Sequence, residues 1–240
     1  MTHPFAHRAT HLALLLAAGL ILLIPDRLPA QASAAITSPE NFLGFTPGDD
    51  FRLADTGTIL AYFRLLDRQS PRLQLQRLGQ STQGRTLWMA VISSPENLAR
   101  QDDLIQLQAQ LSDPRGLVST QARRLMHDAR SVVCISCSIH PIEIGSSQMS
   151  MNLAYRLVAE NSEEIKTILD NVVLLLVPTQ NPDGLDAVVE WYKKYRDTPF
   201  AGGPLPFLDH PYSGHDINRD WVHLTQKETR LTVEKLFNVW

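Results

Sequence analysis

Two short runs of β-branched and aliphatic residues constrain this chain more than anything else in it. Residues 131–138 read Ser-Val-Val-Cys-Ile-Ser-Cys-Ser, and residues 171–177 read Asn-Val-Val-Leu-Leu-Leu-Val. Neither run alternates polar with apolar, so both read as strands buried on both faces of a sheet. Between them, residues 144–160 carry Ser146, Met149, Leu153, Leu157 and Val158 on what reads as a core-facing helix, and residues 162–170 form a further helical stretch. Strand, helix and strand in this order make a βαβ unit with parallel strands. The two strand ends then open on one edge of the sheet, where open α/β sheets hold their ligands.

The flanking chain fits around that unit. Residues 55–68 place Ile59, Leu60, Tyr62, Phe63, Leu65 and Leu66 at helical spacing, with Asp55 or Thr56 as the cap. Residues 73–78 alternate, residues 79–84 are turn material and residues 86–93 are apolar, which predicts a hairpin. A helical stretch opens at Ser94 and runs to about residue 111; residues 113–116 break it, and residues 117–129 are helical again. Residues 185–196 predict a short helix and residues 198–212 a loop. Thr225-Gln226-Lys227-Glu228 has the form of a capping box opening a helix that runs to Trp240. Cys134 and Cys137, the only two cysteines, sit within the first strand run, where positions three apart point to opposite faces. They read as core residues rather than a redox pair, which needs a helix start.

Composition narrows the partners and the address. A formal net charge of −3 over 240 residues supplies no basic field for nucleic acid. His3, His7, Arg8 and His11 precede an apolar run over residues 12–24, too short to span a bilayer, and small residues recur at 30–34. Residues 1–34 therefore read as a cleaved export signal, with an uncleaved anchor as the alternative. Residues 35–240 are expected to be exported, to the periplasm or the medium, with no stable membrane insertion after cleavage.

The first strand run ends at His140-Pro141-Ile142-Glu143. Pro141 has no N–H for a ladder, so the strand stops there. An imidazole and a carboxylate three residues apart can reach one small cation, as zinc takes His nitrogen and carboxylate oxygen. The same pair also reads as a turn histidine beside a surface glutamate. Asn181-Pro182-Asp183-Gly184, after the second strand, is a tight turn whose role is positional.

Three pieces, His140-x-x-Glu143, Asn181-Pro182-Asp183-Gly184 and Asp216-x-Asn218-Arg219, in this order resemble the zinc metallocarboxypeptidases of the carboxypeptidase A type. The turn Gly79-x-Ser81-x-x-Gly84-Arg85 also matches, and the resemblance runs from about residue 44 to residue 240. It implies an α/β fold: a mixed, largely parallel twisted sheet with helices on both faces, incomplete at the C-terminus. It implies Zn2+ as cofactor, with His140 and Glu143 as two ligands, and the C-terminus of a peptide or protein as substrate. Asp216 would orient the ligand histidine. Asn218 and Arg219 would hold the terminal carboxylate, and Arg196, with Lys193 or Lys194 as alternatives, would stabilise the developing oxyanion. Members often read His-x-Arg-Glu, whereas Ile142 stands here. The family's third zinc ligand, general-base glutamate and substrate-binding tyrosine lie further along than this sequence reaches. The chain is therefore expected to be the N-terminal portion of such an enzyme, without the general base and so without hydrolytic competence of its own; in a variant reading His215 or His223 completes the zinc shell. Other readings on the same frame are a non-catalytic peptide-binding relative and a peptidoglycan carboxypeptidase or amidase.

Overall fold

The computed structural model describes residues 35–240; the export-signal reading falls on residues 1–34 and lies outside them. In chain order the helices are α1 (Pro39–Leu43), α2 (Thr56–Gln69), α3 (Pro95–Ala99), α4 (Gln101–Ser112), α5 (Ser119–Asp128), α6 (Ile144–Ala159), α7 (Glu163–Asn171), α8 (Pro182–Tyr195) and α9 (Lys227–Thr232). The strands are β1 (Leu73–Gln80), β2 (Thr86–Ile92), β3 (Ser131–Ser136) and β4 (Val172–Val177). None of the described helices is long and apolar enough to cross a membrane.

The strands form one mixed sheet in the order β1-β2-β4-β3. β1 and β2 make the expected antiparallel hairpin, with a bulge between Arg77 and Gly79. β2 pairs antiparallel with β4, and β3 pairs parallel with β4, from Ser131 beside Val172 to Ser136 beside Val177. The parallel βαβ unit is thus present, and two of the three pairings described are antiparallel.

Alternate residues of the inner strands feed two cores. On one face Ala90, Ile92, Leu174 and Leu176 pack with Ile59, Phe63 and Leu66 of α2, Met151 and Ala154 of α6, and Leu185 and Val189 of α8. On the other, Met89, Val91, Val173 and Leu175 pack with Leu98 of α3, Leu104 of α4 and Leu236. Helices therefore cover both faces. α2 starts as its sequence predicts, with the Asp55 carboxylate accepting the Thr58 N–H at 2.8 Å.

Three expectations are corrected. β3 is not buried on both faces: it lies at the end of the strand order among the described residues, Val133 is 42% exposed, and of the two cysteines expected in the core Cys137 is buried but Cys134 is exposed. A run of β-branched residues marks a strand but not how many neighbours cover it. The buried face of α6 also differs from the expected one in its first half: Leu157 and Val158 are buried as expected and Leu153 packs against the core, but Ser147, Gln148, Ser150, Met151 and Ala154 face inward, while Met149 is 43% exposed. The inward polar residues are in use: Gln148 Oε1, for instance, accepts the Ala54 N–H at 2.9 Å. Finally, the capping box at Thr225 does not form. α9 begins at Lys227, with Gln226 as N-cap and no side-chain cap bond. The Glu228 carboxylate instead accepts the Thr82 N–H at 2.8 Å.

An exposed apolar edge strand is a template for pairing with another chain. Val133→Lys is expected to lower the tendency of this chain to self-associate, as read by light scattering against concentration, without changing its unfolding midpoint.

Candidate metal and carboxylate site

The site begins where β3 stops. Cys137 still donates to Val177 O at 2.9 Å, and Gln180 N–H donates to Cys137 O at 2.7 Å, so both strand ends stay tied past the ladder. Ser138 then takes a left-handed conformation, φ 48°, which costs a non-glycine residue on the order of 1–2 kcal/mol. Local hydrogen bonds offset that cost. The Ser138 N–H donates to Ser146 Oγ at 2.8 Å, its hydroxyl donates to Glu143 O at 2.9 Å, and Ser147 donates to Ser138 Oγ at 2.7 Å. The chain is thereby turned through residues 139–143 and enters α6.

This turn brings the predicted pair together. His140 Nδ1 lies 3.1 Å from Glu143 Oε1, and both side chains are partly exposed. The other ring nitrogen, Nε2, lies 3.4 Å from Asp216 Oδ1. The hydrogen bond to Glu143 raises the His140 pKa above the ordinary imidazole value; burial opposes this, and the charges of Glu143, Asp209 and Asp216 add to it. With a carboxylate at each ring nitrogen, both N–H groups of the protonated ring have an acceptor, Glu143 at Nδ1 and Asp216 at Nε2.

Asp216 reaches this position because it also caps a 3-10 turn. Its Oδ1 accepts the Asn218 N–H at 2.7 Å, at the start of Ile217–Arg219. The cap and the histidine contact thus occur together at one residue. Arg219, on the same turn, is exposed and donates only to Asn218 O at 3.2 Å; among the described residues it has no carboxylate partner. Arg196 closes α8, with Nε 3.1 Å from Asp197 Oδ2, and lines a pocket shared with Ile142.

The loop carrying Asp216 is fixed by the turn Asn181-Pro182-Asp183-Gly184, read from the sequence as positional, and by Asp209 and Tyr212, which the sequence reading passed over. Asn181 caps α8 by accepting the Gly184 N–H at 2.9 Å, and its Nδ2 donates to Asp209 O at 2.9 Å. The buried Asp209 carboxylate accepts the Ile217 N–H at 3.1 Å. Asp183, fully buried, accepts from Ser81 Oγ at 2.6 Å, Gln83 N–H at 2.9 Å and Arg85 Nη1 at 3.0 Å, which docks the hairpin turn onto the start of α8. The Tyr212 hydroxyl lies 3.1 Å from Asp183 Oδ2 and 3.2 Å from Glu228 Oε1. Burial, joined by the Glu228 and Asp183 charges, raises the Tyr212 pKa far above that of a free phenol. The one signal in the sequence was that Gly79-x-Ser81-x-x-Gly84-Arg85 and Asn181-Pro182-Asp183-Gly184 belong to the same pattern; here they touch.

The donor set suits a zinc ion in part. Imidazole nitrogen and carboxylate oxygen are zinc ligands, and His140 and Glu143 face one another at the mouth of the sheet. A catalytic centre takes three protein ligands. Among the described residues no group of three or more His, Cys, Asp or Glu is placed to hold an ion. His215 does not complete the pair; its Nε2 lies 3.3 Å from the buried Asp220. His223 is exposed.

Comparison with solved structures agrees with this fold. A putative carboxypeptidase from Burkholderia mallei aligns at TM-score 0.50 and 17% identity, covering 78% of this chain and 37% of its own. Carboxypeptidase A from Helicoverpa armigera aligns at TM-score 0.50 and 14% identity, covering 83% and 48%. A metallo-carboxypeptidase from Burkholderia cenocepacia aligns at TM-score 0.50 and 17% identity, covering 78% and 39%. The chain thus spans less than half the length of these structures. A search of curated proteins finds no match. The profile of the peptidase M14 family, described as zinc carboxypeptidase, matches residues 59–235, and this chain belongs to that family.

Proposed function

We propose that this chain carries the metal-binding and carboxylate-binding half of an exported zinc metallocarboxypeptidase, which removes residues from the C-termini of peptides. The observation that carries the reading is the line Glu143–His140–Asp216, with one carboxylate at each ring nitrogen and Arg219 on the turn that Asp216 caps. His140 and Glu143 would hold the zinc, and Asp216 would fix the ring. When bound, such an ion polarises a scissile carbonyl and acidifies a water. Arg219, a planar fork of donors without a carboxylate partner among the described residues, matches a terminal carboxylate in two bonds. Asn218 would add a further contact there. Arg196, at the end of α8, would supply a cation to the developing oxyanion.

The test is binding of short peptides as free acids and as C-terminal amides. The free acid is expected to bind more tightly, and Arg219→Ala is expected to remove the difference, a loss of about 1.5–3 kcal/mol for a charged hydrogen bond. Equal binding of acid and amide by the unaltered chain would count against the reading.

A further inference from the structure

A buried carboxylate needs donors or a cation, because taking a charge out of water is costly. Asp183 has Arg85 Nη1 at 3.0 Å. Asp220 has the Thr225, Gln226 and Thr229 donors and His215 Nε2 at 3.3 Å. Asp209 is treated differently. It is 3% exposed, and among the described residues no Lys, Arg or His nitrogen pairs with it. The Ile217 N–H at 3.1 Å is the one donor its carboxylate is given among the described residues.

Asp209 is tied to both sides of His140. Asn181 Nδ2 donates to Asp209 O at 2.9 Å and to Ile139 O at 3.4 Å, so one buried amide joins Asp209 to the residue before His140. The Asp209 carboxylate in turn holds the N–H of Ile217, the residue after Asp216, and the Asp216 carboxylate lies 3.4 Å from His140 Nε2. The Asp209 charge is felt at the ring: after the Glu143 hydrogen bond, and against burial, the charges of Glu143, Asp209 and Asp216 favour the protonated imidazole. Three carboxylates thus act on one imidazole. Even with the ring protonated, two of their negative charges stay unmatched among the described residues. A divalent cation beside His140 would answer that surplus. Asp209 would act on it as an outer charge rather than a ligand, since no three His, Cys, Asp or Glu among the described residues are grouped to hold an ion.

We propose that Asp209 is a positioning residue of the metal site: it supplies a buried negative charge that draws a divalent cation to His140 and Glu143, and its bond to Ile217 holds the Asp216 turn against the imidazole. The proposal rests on the metallocarboxypeptidase reading above. The metal-free chain carries this buried charge at a cost, and a cation at the pair relieves it.

The experiment compares the full chain with Asp209→Asn, Asp209→Ser and Asp209→Glu, by calorimetric titration with zinc and by thermal unfolding without metal. Asn keeps an oxygen for the Ile217 N–H and removes the charge; Glu keeps the charge and disturbs the bond. Asp209→Asn and Asp209→Ser are each expected to weaken zinc uptake at least about tenfold, as loss of an outer partner of a metal site does. The metal-free midpoint of Asp209→Asn is expected to equal or exceed that of the parent. Asp209→Glu is expected to keep more zinc affinity than either neutral variant while its midpoint falls. A residue with a structural role alone would give a lower midpoint in Asp209→Asn and unchanged zinc affinity. A folded neutral variant that takes up zinc as the parent does would overturn the proposal and leave the zinc reading intact. So would the failure of both neutral variants to fold while the parent binds zinc. No zinc uptake by the parent would overturn both.

Discussion

Gly184→Ala is expected to be the most damaging small substitution in this chain, destabilising it by about 3–5 kcal/mol. A Cβ at this position would sit 2.2 Å from the Asp209 carbonyl oxygen and 2.6 Å from Asn181 Nδ2. The first contact is with backbone, which cannot swing aside as a side-chain tip can. Overpacking of this kind costs about 1–3 kcal/mol. Displacing Asn181 also puts at risk its bonds to Asp209 O and Gly184 N–H, both 2.9 Å, at about 0.5–1.5 kcal/mol each. For a chain of this size that corresponds to a fall of roughly 10 °C in unfolding midpoint. The loop that moves carries Asp209 and leads to Asp216, so metal affinity should fall as well. A midpoint within 1–2 °C of the parent, about the shift one weak contact would give, would show that the close approach is not needed.

The second large effect is expected at Asp220. Its side chain is fully buried, and its carboxylate accepts the Thr225 N–H at 3.0 Å, the Thr225 hydroxyl at 2.5 Å, the Gln226 N–H at 2.8 Å and the Thr229 hydroxyl. Burial pushes the pKa of this carboxyl up, but the hydrogen bonds from Thr225, Thr229 and Gln226 outweigh it and hold the group far below the usual carboxylate range. Asp220→Ala would strand those donors, at a cost of about 3–4 kcal/mol. A folded-state pKa below the unfolded value means stability present above about pH 4 and lost as pH falls toward the folded value. The advantage of the parent over Asp220→Asn should therefore shrink by about 1.4 kcal/mol for each pH unit below roughly pH 4. Denaturant unfolding of both chains at pH 7, 4 and 3 measures it. An advantage that stays constant from pH 7 to pH 3 would contradict the account.

What the sequence revealed follows from the range of the forces involved. α2 was legible because its apolar spacing and the Asp55 cap are local. The β1–β2 hairpin was legible because its alternation and its turn residues are adjacent. The pair His140 and Glu143 was legible because three residues and a proline fix where they fall. The burial of β3 was not, because Val132, Val133 and Ile135 read the same with or without a strand beside them. The cap of α9 was misread because Glu228 finds Thr82 in the turn between β1 and β2, and Asp220 takes the Thr225 and Gln226 amides instead. Asp183, Asp209 and Asp220 were all missed as buried groups. Their partners, such as Arg85 and the Ile217 N–H, are supplied by other parts of the chain, and composition alone sends carboxylates to the surface.

The central claim is that His140 and Glu143 together grip a divalent ion, and a zinc titration followed by calorimetry tests it most directly. The unaltered chain should take up one zinc. His140→Ala and Glu143→Ala should each weaken uptake by at least about tenfold, the smallest loss expected when even an outer partner of a metal site is removed. Arg219→Ala, which lies on the carboxylate side, should leave it unchanged. Identical affinity and stoichiometry in all four proteins would contradict the account.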